Sequence, residues 1–522
     1  MNEIDLGIEH HESGRLAQAE AVYRQILGKD PNHCDALHWL GVIAHQMGNH
    51  EAGLELITKA ISINSTDPKY YNHLGMVLKG LKKYAEAIGC FQQAVAMDPK
   101  MAQAYNNLGN VFQVTCQFDD AIACYQKALI VNPGLVEAIK NTGDIFRKKG
   151  EAQLGLACYQ KVKLISPESF SAHDAALSSS IIYYLSNDFE SARKELDIAK
   201  GMFGGISRAS VASQVYCNYM DFLLGWWVRA GNLLKSPLEA DLLYVIGESH
   251  SLSLQNVVVD MMDGKLFRCQ AKWIEGCKQW HLASAEDNIY KYQVSQVFSS
   301  LPANSVVLMT VGEIDCRCNE GIFPLWKNKN RNIRDVITVT VNGYLDFVQS
   351  LATLKGIRLI IGGVPATNAS LNELSEDGKV QFGWFLGLFN QFLKKLALDR
   401  GMGFLDVFSM TNTRGGIADG SWHLDSHHLR PDAMKVAFEK YLLQPDKAAA
   451  IFNKKEVLVN MIKIDGREFD LNSLSETAKQ NLQMLQLTEQ EIQRLQLQLA
   501  IAQTARNSYA NALKTALPAL ME

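Results

Sequence analysis

The 522-residue chain is 47% hydrophobic and 20% charged, with 37 Gly and only 12 Pro, a composition that excludes a collagenous or disordered chain and leaves room for about three to four domains. Its 51 Lys and Arg stand against 55 Asp and Glu, a net charge of −4 with no dense basic run, so neither nucleic acid nor an anionic membrane surface is an expected partner. Met1-Asn2-Glu3-Ile4-Asp5 lacks the basic and apolar blocks of a secretory signal, and no apolar run reaches the roughly 18 residues that cross a bilayer. With ten scattered cysteines, the expectation is a cytoplasmic protein with reduced thiols and no membrane span.

The first third is periodic. Gly7, Gly41, Gly75, Gly109 and Gly143 are each 34 residues apart, with Leu6, Leu40, Leu74, Leu108 and Thr142 before them. Twelve residues after each Gly stands a small residue: Ala19, Gly53, Ala87, Ala121, Gly155. Four further on comes a bulky one: Tyr23, Ile57, Phe91, Tyr125, Tyr159. Pro31, Pro99, Pro133 and Pro167 punctuate four of the five units. Small residues let two helices of a hairpin approach, the bulky residue is expected to fill the gap against the next unit, and Pro starts the turn where the second helix stops. One such hairpin cannot bury its apolar face alone, so the units must stack into a superhelix. Ala192, Leu196 and Ala199 share one helical face and predict a degraded sixth hairpin.

This pattern resembles tetratricopeptide repeats over residues 1–168, within a repeat domain of 1–201. The resemblance implies a concave groove lined by the first helices that holds a protein or peptide. Carried over by position, groove residues are His38, Asn72, Asn106 and Lys140 at the fifth place, Asn110 and Asp144 at the ninth, and His45, Lys79, Gln113 and Arg147 at the twelfth. The alternative is that these side chains are solvated helix faces. Tyr105-Asn106-Asn107-Leu108-Gly109-Asn110 also resembles repeats of the O-linked N-acetylglucosamine transferases, but no nucleotide-sugar motif accompanies it.

Residues 202–239 lose the period and read as a helical linker rich in aromatics. From 240 to 445 short apolar runs alternate with amphipathic ones: candidate strands Leu242–Ile246, Leu266–Ala271, Val306–Val311, Arg358–Ile361 and Phe404–Val407, with helices such as Tyr344–Thr353 and Phe385–Leu398 between them. That alternation predicts a parallel sheet covered on both faces, with reactive groups at the carboxyl ends of its strands. Gly247-Glu248-Ser249-His250-Ser251 follows the first strand, Trp273-Ile274-Glu275-Gly276 the second, and Gly312-Glu313-Ile314-Asp315-Cys316-Arg317 the third; Asp425-Ser426-His427-His428-Leu429 comes near the end.

The order of these blocks resembles the SGNH (GDSL-like) hydrolases over residues 240–445. The resemblance implies an α/β/α, flavodoxin-like fold and acyl-ester chemistry on a small ester or a glycan O-acetyl group, by hydrolysis or transfer, without cofactor or metal. Ser249 is then the nucleophile, His428 the base and Asp425 its orienting partner. The backbone N–H groups of Ser249 and Gly276 become oxyanion donors. Beside them, His250 and Asp315 are candidate substrate contacts, with a packed or solvated ring as the alternative for His250. Two departures stand out. Glu248 occupies a place where the family has Asp, and Ile314 the place of its Asn, which neither Ile nor an ionised carboxylate can replace as a donor. Arg317, or Asn319 beyond it, is the candidate substitute; alternatively Arg317 pairs with Glu313 or Asp315.

The three His and one Asp of 422–428 lack the ligand spacing of a zinc site. Cys316 and Cys318 flank Arg317, but Ser249 has the matching Asp-x-x-His block. Residues 446–522 form an extension in which Leu474, Ala478, Leu485, Ile492, Leu495, Leu499 and Ala502 make a heptad seam over about 473–505, with Asn481 and Thr488 in its gaps. The expectation is a coiled coil that joins copies of the chain, or else packs on the repeats. The whole reads as a repeat superhelix, an esterase domain and a coiled coil, with a scaffold that retains the hydrolase fold without turnover as the rival.

Overall fold

The computed structural model describes residues 2–202, 211–230, 240–261, 265–312, 316, 322–323, 332–368, 375–412, 417–423, 428–443, 461–464 and 467–470. Two compact units make up the chain, Met1–Ala448 and Ala449–Glu522. In the second, the described residues form an antiparallel pair, Met461–Ile464 with Arg467–Asp470. The heptad segment 473–505 lies outside the described residues.

The first unit opens with six helical hairpins: α1 (Glu3–Glu12) and α2 (Leu16–Lys29), α3 (Cys34–Gln46) and α4 (His50–Ile63), α5 (Pro68–Gly80) and α6 (Tyr84–Met97), α7 (Ala102–Val114) and α8 (Phe118–Val131), α9 (Val136–Lys148) and α10 (Ala152–Ile165), α11 (Phe170–Leu185) and α12 (Phe189–Gly201). The turn inside each of the first five needs one left-handed residue, supplied by Gly14, Gly48, Lys82, Cys116 and Gly150 at the same 34-residue period. In the sixth it falls at Asn187, because α11 runs 16 residues where α9 runs 13. Side-chain caps start several helices: Asn49 accepts from Ala52 N, Asp67 from Lys69 N ahead of Pro68, Ser169 from Ala172 N and Asp188 from Ser191 N. Ala192, Leu196 and Ala199 are fully buried on α12.

The bulky column packs with the next unit as expected, Tyr125 clustering with Ala138 and Ile145 and Phe91 with Leu108 and Val111, and it also faces the glycine column of its own hairpin. A Cβ on Gly109 would stand 2.6 Å from Cε1 of Tyr125, and one on Gly75 2.8 Å from the Phe91 ring. The ring thus occupies the volume that a side chain on the first helix would need, and it is fully buried there.

Helix α13 (Val211–Ala230) leaves the array and packs on α11 and α12. Ser213 donates to Asp174 at 3.2 Å, Lys200 reaches Asp221 at 2.8 Å, and Arg193 also pairs with Asp221. Its buried residues Cys217, Met220, Leu224 and Trp227 recur at three and four, and Trp227 donates to the Tyr184 hydroxyl at 2.9 Å.

The α/β region contains β1 (Asp241–Gly247), β2 (Val258–Asp260), β3 (Leu266–Trp273), β4 (Val306–Thr310), β5 (Arg358–Gly362), β6 (Thr367–Asn368), β7 (Gly403–Leu405), β8 (Ile417–Ala418) and β9 (Leu442–Leu443). Seven of them form one sheet in the order β2-β3-β1-β4-β5-β7-β9, while β6 and β8 pair separately. The five central strands are parallel; β2 and β9 add antiparallel edges. Ile246, Met309, Ile361 and Phe404 meet the helices Ile333–Thr353 and Glu376–Asp399 through Tyr344, Leu345, Phe385 and Phe389. The alternate residues Leu243, Val245, Leu308 and Ile360 are equally buried, so both faces are covered. The strand expected to run to Val407 stops at Leu405, because Asp406 accepts from Ser409 N and caps a short helix, Val407–Thr411.

Two glycines separate the packing term from helix propensity. Alanine is about 1 kcal/mol better than glycine inside a helix, and Gly89 on α6 has nothing within 4 Å of its added Cβ. Gly89→Ala is expected to stabilise by about 0.5–1 kcal/mol, whereas Gly109→Ala, forced against Tyr125, is expected to destabilise by about 1–3 kcal/mol. Urea denaturation followed by helical circular dichroism reads both; a stabilising Gly109→Ala would contradict the packing argument.

Candidate functional site

β3 and β4 flank β1: from β1 the chain builds β2 and β3 on one side, then crosses to β4 on the other, so the strand order reverses at β1. Open parallel sheets bind their ligands at such a reversal, at the carboxyl ends of the strands. There β1 and β4 approach so closely that a Cβ on Gly247 would collide with Oγ1 of Thr310. Ser249 follows two residues later, opening a helix of five residues, Ser249–Ser253. From the other end of the region, the loop before helix Pro431–Tyr441 closes on itself through the His423–Leu429 bridge and the Arg430 N to Trp422 O bond of 3.1 Å. It presents His428, whose Nε2 lies 2.9 Å from Oγ of Ser249 across 179 residues of sequence. Both residues are buried.

The arrangement around this pair has parts that the sequence did not announce. Ser249 N–H donates to Oε2 of Glu248 at 2.6 Å, and the Ser249 hydroxyl is hydrogen-bonded to the same oxygen. Oε1 of Glu248 accepts from the Tyr216 hydroxyl at 2.5 Å. Burial first, and then the Glu248 carboxylate, raise the Tyr216 phenol well above its ordinary range. Tyr219 donates to Ser249 O at 3.0 Å and stacks on the His428 ring, centroids 4.1 Å apart. Both tyrosines come from α13, so the segment read as a linker forms one wall of the site. Their signal was present: two tyrosines three apart on an apolar helix share a face.

The hydroxyl of Ser249 has one proton and two acceptors. When it points at Glu248, Nε2 of His428 is the donor to Oγ; when it points at His428, Nε2 is bare and able to take the proton. Of the expected oxyanion donors, Ser249 N–H is occupied by Glu248. Gly276 sits in the left-handed region at φ 69°, in a turn tied to β1 by the Ile274 N to Gly247 O bond of 2.7 Å. His250 is buried with its ring centroid 5.4 Å from that of His428. Asp425, Arg317, Asp315 and Asn319 lie outside the described residues.

The expected groove residues are largely engaged with one another. His38 Nε2 lies 2.6 Å from Nδ1 of His73, Asn107 donates to Asn72 at 3.0 Å, and Asn141 donates to Asn106 at 3.3 Å. The fifth residue of one first helix thus bonds the sixth of the next. His38, Asn72 and Asn106 are only 1%, 5% and 2% exposed, so they join repeats instead of offering a contact surface. Asn110 accepts from Asn141 and from Tyr125, both at 2.8 Å. At the far end Lys140 pairs with Asp144 at 3.0 Å and Asp174 at 3.8 Å. Arg147 crosses to the α/β region: it pairs with Glu275 at 2.9 Å and lies 4.9 Å over the Trp273 ring. Phe118 likewise meets Tyr292 edge-on at 5.0 Å.

Comparison with known proteins bears on the repeats. Residues 102–135 match the tetratricopeptide repeat model, 77–114 a second model described as TPR repeat, and 12–94 that of the anaphase-promoting complex, cyclosome, subunit 3. The N-terminal region is a tetratricopeptide-repeat array. Tetratricopeptide repeat protein 7B of Homo sapiens is 31% identical over 78 residues, 15% of this chain and 9% of that protein; the Mus musculus protein is 30% identical over 69 residues. The match spans less than a tenth of either relative's length. Among solved structures, MamA is 25% identical and covers 32% of this chain and 96% of its own, with a TM-score of 0.28. Pseudomonas aeruginosa pilF is 22% identical, covering 41% and 94%, with a TM-score of 0.35. Repeat arrays of this kind hold protein partners, and among the described residues no helix is long and apolar enough to cross a membrane.

The histidine pair gives the array a pH dependence. Burial first, then His73 and nearby cations, push His38 down to about 2; burial and the neighbouring His11 and His45 push His73 down to about 4. Both fall below the 6.5 of a free ring, so their stability is intact above that value. It declines as pH falls and the unfolded rings protonate first, by at most about 1.4 kcal/mol per pH unit for each ring. The His73 share of the decline ends near its folded value. Melting between pH 7 and 5 is expected to show the loss, and His38→Asn with His73→Asn, which copies the Asn72–Asn107 pair, to reduce it. An equal slope in the double variant would contradict the assignment.

Proposed function

We propose that the chain is an acyl-ester hydrolase or acyl transferase of SGNH-like design, tethered to a tetratricopeptide module that holds a protein partner. The single observation that carries this reading is the 2.9 Å approach of Ser249 Oγ to His428 Nε2, at the strand-order reversal where parallel sheets place their ligands. In the reaction, Ser249 attacks the ester carbonyl, its proton passes to His428, and the alcohol leaves with that proton; water, or an acceptor hydroxyl in a transferase, then takes the acyl group. Asp425 is assigned to orient His428, and Gly276 N–H to meet the oxyanion. Arg317 is assigned to stand in for the missing third-block amide. His250 and Asp315 are assigned to the substrate, an acylated small molecule or glycan. The heptad segment 473–505 is assigned to self-association.

A second reading, a scaffold without turnover, draws on the Glu248 carboxylate, which holds both the N–H and the hydroxyl that catalysis requires. Hydrolysis of p-nitrophenyl acetate separates the two. The enzyme reading predicts that Ser249→Ala and His428→Ala each lower kcat/KM by about a thousandfold or more. Wild-type turnover no greater than that of Ser249→Ala would favour the scaffold.

A further inference from the structure

We propose that Glu248 is a latch on the nucleophile, bolted by Tyr216, so that the arrangement described is the resting form of the site; this inference rests on the hydrolase reading above. Acyl transfer needs two groups of Ser249, the hydroxyl proton for His428 and the backbone N–H for the developing oxyanion. Oε2 of Glu248 accepts from both. A carboxylate there is an anion standing where the oxyanion must form, and its charge makes it the stronger acceptor for the Ser249 proton. While it stays, the Ser249 proton is held mostly toward Glu248 instead of His428, and a substrate carbonyl cannot reach the N–H.

The other oxygen, Oε1, is held by the Tyr216 hydroxyl at 2.5 Å. The high phenol pKa keeps Tyr216 protonated and donating. Tyr216 itself is fixed, its ring meeting Trp273 edge-on at 5.8 Å, and Trp273 lies under the Arg147 guanidinium. Three residues before it on α13, Ser213 donates to Asp174, which is also within 3.8 Å of the groove residue Lys140. The bolt is therefore carried by a helix seated on the repeats, beside the end of the groove. Contiguity alone is not coupling; the two-state element is the Glu248 side chain, folded onto Ser249 or swung away. Tyr216 and Glu248 are thus positioning residues.

Fluorophosphonate labelling of the full chain tests this. Ser249 Oγ attacks phosphorus, fluoride leaves and the serine proton passes to His428, so the rate reads the released state. Glu248→Ala removes the latch, and Tyr216→Phe removes only the bolt while keeping the ring against Trp273. Both are expected to raise the labelling rate about tenfold, the scale set by a lost hydrogen bond to a charged group, with no labelling in Ser249→Ala. A gain in rate is not an outcome that misfolding produces. Rates at or below wild type in both variants, with labelling still dependent on Ser249, overturn the latch and leave the hydrolase reading intact. A gain in Glu248→Ala alone overturns the role of Tyr216. Labelling independent of Ser249, or none in any form, overturns both.

Discussion

The site depends on the reversal of strand order at β1. The chain leaves β1 toward β2 and β3 on one side and crosses to β4 on the other, and the residue two places beyond Gly247 stands at that reversal, where open parallel sheets bind their ligands. Gly247 is required because Thr310 fills the space of a side chain there. A residue with a Cβ would push β1 and β4 apart and move Ser249 from His428, whose placement is set independently by the closed loop before Pro431.

The repeats and the sheet share this site instead of standing as separate modules. Arg147 reaches Glu275 from the fifth hairpin, Tyr184 donates to Leu252 O from the sixth, Gln255 donates to Leu185 O at the array's end, and α13 lays Tyr216 and Tyr219 against Glu248 and Ser249. These contacts join the last hairpins and α13 to the α/β region. In the earlier hairpins, His38, Asn72 and Asn106 bond the following repeat in a ladder. The recurring polar residues at the fifth and sixth places of the first helices therefore bond one another from repeat to repeat.

The helical hairpins were legible because stacking imposes one period on five columns, and Ala192, Leu196 and Ala199 carried it into the sixth despite the three extra residues of α11. The five parallel strands were legible as apolar runs between helices; β2 and β9, at two or three residues, are too short to show a pattern. The approach of His428 to Ser249 was legible from their flanking residues. Tyr216, Tyr219 and the hold of Glu248 on Ser249 were not, since nothing local in an aromatic helix says which distant backbone it will meet. The ladder was half legible: Asn and His recur at the fifth and sixth positions, but only burial shows that they face the next repeat instead of solvent.

The most direct measurement is peptide mapping by mass spectrometry after fluorophosphonate treatment of the full chain. The account predicts one phosphonyl adduct, on the peptide that carries Ser249. An adduct on any other residue, or an unmodified Ser249 even when Glu248 is replaced, would contradict it.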